Sequence, residues 1–189
     1  MKTLILISTL LFSCSFLMGA PDLLQKIEQL GSLTDAPQIH TAKGSKSSDN
    51  PRAIFFDALP WKGKSTRSYG WLGLPESTES KVPAMVLVHG GGGSAFKEWV
   101  ERWNDKGFAA LSIAVEGQTD SKVDSDEGKK VWQKHPWAGP NRAGIFGDSD
   151  QPLKDQWMYH AVSQTILANS LLRSLPEVDS SKVGLMGVS

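Results

Sequence analysis

Val183-Gly184-Leu185-Met186-Gly187-Val188-Ser189 is the stretch whose reading decides the fold. Val183, Leu185 and Val188 are strand formers in a short run closed by glycine and serine, the pattern of a buried strand entering a sharp turn. Gly187-x-Ser189 matches the front half of G-x-S-x-G, the nucleophile elbow, in which a strained strand-to-helix turn lifts a serine oxygen above the sheet. The back half of that motif would follow Ser189. The stretch is therefore read as the N-terminal part of a domain, reaching as far as its nucleophile.

Working outward, Pro83 to Val88 is a continuous apolar run, as expected of a parallel strand covered on both faces. His89 and the four glycines Gly90–Gly93 follow it. Phe96, Trp99, Val100 and Trp103 then recur at helical spacing, with Ser94 placed to cap the start and Gly107 the end. Phe108 to Val115 is the next buried strand. Glu116 to Pro152 reads as a long irregular connection, which in a compact domain is functional or disordered. Asp155 opens a helix through Leu175 with Met158, Ala161, Val162, Thr165, Ile166 and Leu172 on its inner face, and Pro176 stops it. Upstream, Ile54–Leu59 and Ser68–Leu74 form an antiparallel entry pair across a Lys/Gly/Ser turn. Strands alternating with helices after such a start predict an α/β fold with a mostly parallel sheet and flanking helices, of which this chain is the first half.

Two features of this order carry chemistry. A glycine run at a strand's carboxyl end lets backbone N–H groups approach a ligand oxygen, and one such donor to a tetrahedral oxyanion is worth about 100- to 1000-fold in rate. Gly91 and Gly92 are the candidate oxyanion donors, with His89, Gly90 and Gly93 supporting the loop. A second donor would come from the residue after Ser189. Both the glycines and Ser189 emerge at the carboxyl edge of a parallel sheet, where α/β sites form. No G-K-[ST] follows the glycines and no G-x-G-x-x-G spacing with an acidic partner is evident, which disfavours nucleotide binding.

Val86-Leu87-Val88-His89-Gly90-Gly91-Gly92-Gly93 followed by Gly184-Leu185-Met186-Gly187-Val188-Ser189 resembles the α/β-hydrolase superfamily. Within it, the chain is similar to secreted acetyl xylan esterases and dienelactone hydrolase-like proteins over roughly Ala53 to Ser189. The resemblance implies a serine ester hydrolase with Ser189 as nucleophile and a catalytic acid and then a histidine downstream of it. It also implies deacetylation of a polysaccharide, by family analogy alone. Without the acid and histidine, the 189-residue chain by itself is expected to be inactive. A prolyl-oligopeptidase-like peptidase shares the elbow but is usually preceded by a large propeller domain. A non-catalytic exported fragment or binding module is the other alternative.

His40, His89, His135 and His160 all precede Ser189. His89 reads as a loop-orienting hydrogen bonder, His160 as part of a packing helix, and His135 as a solvated loop residue. Trp132, His135 and Trp137, with the Gly139–Arg142 stretch, are candidate substrate contacts, since tryptophan faces stack on sugar rings and acyl groups. The plainer alternative is that these aromatics staple a long loop to the domain. Asp120, Asp124, Asp126 and Glu127 read as a solvated acidic run whose spacing does not match a calcium-binding loop. No His/Cys/Asp/Glu spacing resembles a metal site, and no cofactor is expected.

Charges balance at 20 basic against 20 acidic, so nothing in composition favours nucleic acid or an anionic surface. With 40% hydrophobic residues the chain can bury one core. Residues 1–20 read as a signal peptide: Lys2, an apolar run from Leu4, then small residues to Ala20. The sole cysteine, Cys14, falls inside it; Phe12 and the apolar residues after Cys14 favour plain export over lipoprotein anchoring. Residues 21–50 read as a tail, with a short helix at Asp22–Leu30 and a mobile linker from Gly31, and 51–189 as the hydrolase domain. The expected protein is secreted or periplasmic. Its expected partner is a small-molecule or polysaccharide ester, with no stable membrane association.

Overall fold

The structure, a computed structural model, describes residues 19–76, 80–144 and 146–188. Residues 1–18, which hold most of the expected signal peptide and Cys14, and the candidate nucleophile Ser189 lie outside the described residues. Helix α1 spans Gly19–Glu28, and a 3-10 turn covers Gln29–Ser32. Strands β1 (Ile39–Thr41), β2 (Arg52–Trp61) and β3 (Lys64–Gly73) follow, each antiparallel to the next. Lys62 (φ 48°) and Gly63 (φ 76°) turn the β2–β3 hairpin, two left-handed residues whose twist matches that of the strands.

Strand β4 (Val82–Val88), helix α2 (Lys97–Asn104), strand β5 (Ala109–Ala114), helix α3 (Trp157–Ser174) and strand β8 (Val178–Gly187) complete the main layers. Strands β6 (Gln118–Asp124) and β7 (Lys130–Lys134) form a separate antiparallel pair. The main sheet has the order β1-β2-β3-β5-β4-β8, and β5, β4 and β8 run parallel. It is a mixed sheet, antiparallel at the entry and parallel around β4.

Strand alternation sorts the core into two faces. Ile54, Phe56, Leu72, Val86, Leu111 and Ile113 pack under α3 with Ala168, Leu171 and Leu172. Leu87 and Ala110 turn to the other face, against Val100 of α2 and the partly buried Trp99 and Trp103.

Several sequence expectations change. Residues 31–50 are not a free linker. β1 pairs with β2 through Ile39↔Phe56 and Thr41↔Ile54, the Ser45 hydroxyl accepts from Ala53 N–H, and Ser170 Oγ donates to Leu33 O at 2.6 Å. Backbone and hydroxyl hydrogen bonds hold the segment, so its low apolar content was a poor guide. Ser94 does not cap α2. Its hydroxyl donates to Thr119 O, and the cap position falls on Phe96, whose N–H donates to Ser112 Oγ.

The 116–152 connection contains the β6–β7 hairpin, whose exposed, Ser/Lys/Asp-rich strands lack apolar alternation. Helix α3 is rotated from the expected face. Met158 and Val162 are 41% and 42% exposed, while Trp157, His160, Ser163, Gln164 and Leu167 are buried. Polar residues on the buried face weaken the apolar stripe that periodicity relies on.

Asp120 is not part of a solvated run. Its two carboxylate oxygens accept from Tyr69 Oη and Trp71 Nε1, each at 2.9 Å. Burial first, and then the Asp120 charge, push the Tyr69 phenol up from its ordinary pKa. Asp120→Ala strands both donors and is expected to cost about 2–4 kcal/mol in urea denaturation. Asp124→Ala, which removes one exposed Lys130 pair, is expected to stay within about 0.5 kcal/mol.

Candidate active site

The site is set by strand register. β4 and β8 are parallel neighbours with Val88 opposite Gly187, and Val188 N–H donates to Val88 O at 3.1 Å. The two segments therefore leave the sheet side by side, one into His89–Gly93 and the other through Val188. Between them lies a cleft of about 620 Å³, with His89, Gly90, Gly91, Glu116, Arg142 and Val188 in its wall. Trp157, Val162 and Ile166 of α3 supply much of its apolar side.

The glycine loop is a tight turn closed by Gly93 N–H to Gly90 O at 3.0 Å, with Gly92 at φ 75°. That left-handed position favours glycine. His89 braces the turn from below. Val115 N–H donates to its Nε2 at 3.1 Å, so Nε2 is the acceptor and Nδ1 carries the proton that Gly90 O accepts at 2.6 Å. Burial, partly offset by the Gly90 carbonyl and Glu116, holds the His89 pKa below its ordinary value. A neutral imidazole with both nitrogens committed is a strut and not a base. Gln118 Nε2 adds a bond to Gly93 O at 2.6 Å.

Three further groups meet the loop. Glu116, just past the end of β5, accepts from Gly92 N–H at 3.1 Å. Arg142 lies 3.8 Å from the Glu116 carboxylate and packs so closely on Gly91 that a Cβ there would sit 2.6 Å from Nη1. Trp132 Nε1 donates to Gly92 O at 2.9 Å.

The family model for acetyl xylan esterase (AXE1) matches residues 47–189. The chain belongs to the acetyl xylan esterase family. Among solved structures, it shares its fold with acetyl xylan esterase 1 from Thermoanaerobacterium sp. JW/SL YS485, at TM-score 0.59 and 18% identity over 89% of this chain and 50% of that one. It is similarly related to an acetyl xylan esterase from Paenibacillus sp. R4, at TM-score 0.58 and 19% identity over 88% and 50%. The sheet and its helices are thus of the α/β-hydrolase type, and the chain spans about half the length of these structures. No curated protein matches the sequence.

In this acetyl xylan esterase family chain, the other sequence-picked residues fall in different places. Trp132 sits on the glycine loop, near Phe96 and beneath the Lys122 ammonium. None of Trp132, His135 and Trp137 lines the cleft; His135 and Trp137 pack on Phe55, and Arg67 lies over the Trp137 ring. His135 is not solvated but 7% exposed, with no hydrogen-bond partner on either ring nitrogen among the described residues. His160 is buried, its Nε2–H donating to Lys154 O at 2.8 Å, and His40 pairs with Asp57 on the far entry strands.

Glu116 was missed because it stands at the head of a stretch read as irregular. The signal was present: it is the first charged residue beyond the carboxyl end of a buried parallel strand, where α/β sites gather.

Burial, and secondarily the Lys134 charge, push the His135 pKa down to about 4. The unfolded chain takes up this proton near pH 6.5. His135 thus favours the fold above pH 6.5 and progressively less as pH falls toward 4, a change of about 2–3 kcal/mol. His135→Phe is expected to flatten the stability profile over that window in denaturation at stepped pH. An unchanged slope would assign the pH dependence to His89 and His160, which are also shifted down.

Proposed function

We propose that the protein carrying this chain is an exported serine ester hydrolase that removes acetyl groups from polysaccharide. The observation that supports it is the β4–β8 register, which brings the end of β8 and the glycine loop to one cleft. In this reading, Ser189 Oγ attacks the acetyl carbonyl carbon as a histidine downstream of it takes the hydroxyl proton, held in place by a downstream acid. The carbonyl oxygen becomes an oxyanion that accepts from the glycine loop, where Gly91 and Gly92 are the candidates, and from the N–H after Ser189. As the intermediate collapses, the carbon–oxygen bond to the sugar breaks, and the sugar oxygen leaves with the histidine's proton. Water, deprotonated by the same histidine, then attacks the acyl-enzyme and releases acetate and free serine.

His89, Gly90 and Gly93 support the loop. Trp132 is the candidate contact nearest the loop, and His135 and Trp137 serve packing. Export follows from reading residues 1–20 as a signal peptide, with 21–50 a tail and 51–189 the hydrolase segment. Among the described residues no helix is long and apolar enough to cross a membrane.

The complete gene product is expected to hydrolyse nitrophenyl acetate and to release acetate from acetylated xylan. Ser189→Ala should lower kcat by about 10⁴- to 10⁶-fold. Turnover undiminished by that substitution, or none in the unmodified protein, overturns the reading.

A further inference from the structure

The peptide units of the glycine loop are not equivalent. Gly92 is held at both ends, its N–H by Glu116 Oε1 at 3.1 Å and its carbonyl by Trp132 Nε1 at 2.9 Å. Gly93 N–H is spent on Gly90 O. Among the described residues, neither Gly90 N–H nor Gly91 N–H has an acceptor and both glycines line the cleft, Gly91 being the one next to the clamped amide and against Arg142. A Gly92 amide already donating to a carboxylate is a poor donor to a second anion.

We propose that Glu116 is a positioning residue that clamps Gly92, making Gly91 N–H the loop's oxyanion donor, while Arg142 offsets the carboxylate's charge. The inference deepens the esterase reading and rests on it.

The charge arrangement is the physical core of the idea. A carboxylate bonded to the Gly92 amide repels an oxyanion held by the neighbouring amide. The clamp is therefore tolerable only with compensation. Arg142 Nη1 is 3.8 Å from Glu116 Oε1, and its guanidinium lies against Gly91 and over the Trp157 ring. Lys134 Nζ donates to the Glu116 backbone carbonyl, adding a second cation on the same residue.

The same balance is felt by His89, whose pKa Glu116 raises and Arg142 and Lys134 lower. Glu116 comes from the end of β5, Trp132 from β7 and Arg142 from the loop before α3. Glu116 and Trp132, distant in sequence, thus fix the two peptide units on either side of the Gly92 Cα, with Arg142 beside them.

The test uses the complete protein, with nitrophenyl acetate kinetics and hydrogen–deuterium exchange over the 90–93 segment. Glu116→Ala is expected to lower kcat about 10- to 100-fold with KM nearly unchanged, because the loss is a transition-state interaction. It should also speed exchange at Gly92 without matching change elsewhere. Glu116→Gln keeps an acceptor for the Gly92 N–H and should recover most of the lost kcat.

Arg142→Gln leaves the carboxylate uncompensated and should lower kcat by about 10-fold or more, and adding Glu116→Gln to it should restore part of that loss. Such a sign of coupling is not expected of two residues that merely stabilise the fold. Three kinetic results would overturn the proposal: Glu116→Gln no better than Glu116→Ala, a double variant no better than Arg142→Gln, or a rise in kcat on removing Glu116. Gly92 exchange indifferent to Glu116 overturns the clamp even if the protein shows no esterase activity. Absence of turnover in the unmodified protein, by contrast, sinks the esterase reading.

Discussion

The site depends on one backbone constraint, the in-register parallel pairing of β4 with β8. Hydrogen bonds carry that pairing up to Val88 and Gly187 and one residue beyond, through Val188 N–H to Val88 O. Parallel strands with coincident carboxyl ends must release their following loops at the same height. A slip of one residue would reverse the side chains of β8 between the two faces of the sheet. Gly184 tightens the register further: a Cβ there would lie 2.6 Å from Met85 Sδ on β4.

Around that frame, polar groups substitute for bulk in shaping the glycine loop. Four glycines offer no side chains with which to hold themselves, so apart from the Gly93 N–H to Gly90 O bond the restraints come from outside the run. His89 ties the loop to the end of β5, Gln118 ties it to the start of β6, and Glu116 and Trp132 fix opposite ends of Gly92. The imidazole stays neutral because burial penalises its charged form. The hairpin of β6 and β7 therefore has a structural part in the site, although its strands are largely exposed.

Much of the fold was legible because β4 and β5 are apolar runs and α2 carries aromatic periodicity, whereas β8, read as a buried strand, lies at the sheet edge with Leu185 59% exposed. Val86, Leu87, Leu111 and Ile113 are fully buried, as runs with no polar alternation require. Legibility failed wherever hydrogen bonds and not apolar area hold a segment. β1, the β6–β7 hairpin and Asp120 all looked like solvated chain, since composition does not reveal that Ala53, Tyr69 or Trp71 waits as a partner. The face of α3 was misjudged for a related reason, because buried His160, Ser163 and Gln164 interrupt its stripe.

The sequence alone determined the order of β2 to β5, α2, α3 and β8, the glycine run after β4 and the Gly-x-Ser at positions 187–189, since these depend on local propensity and turn chemistry. Tertiary structure decided which amides of the loop are already engaged, which tryptophan touches it, and that Glu116 and Arg142 line the cleft. Those assignments are made by contacts between segments tens of residues apart. Nothing in local composition specifies such contacts until the sheet brings the segments to one edge.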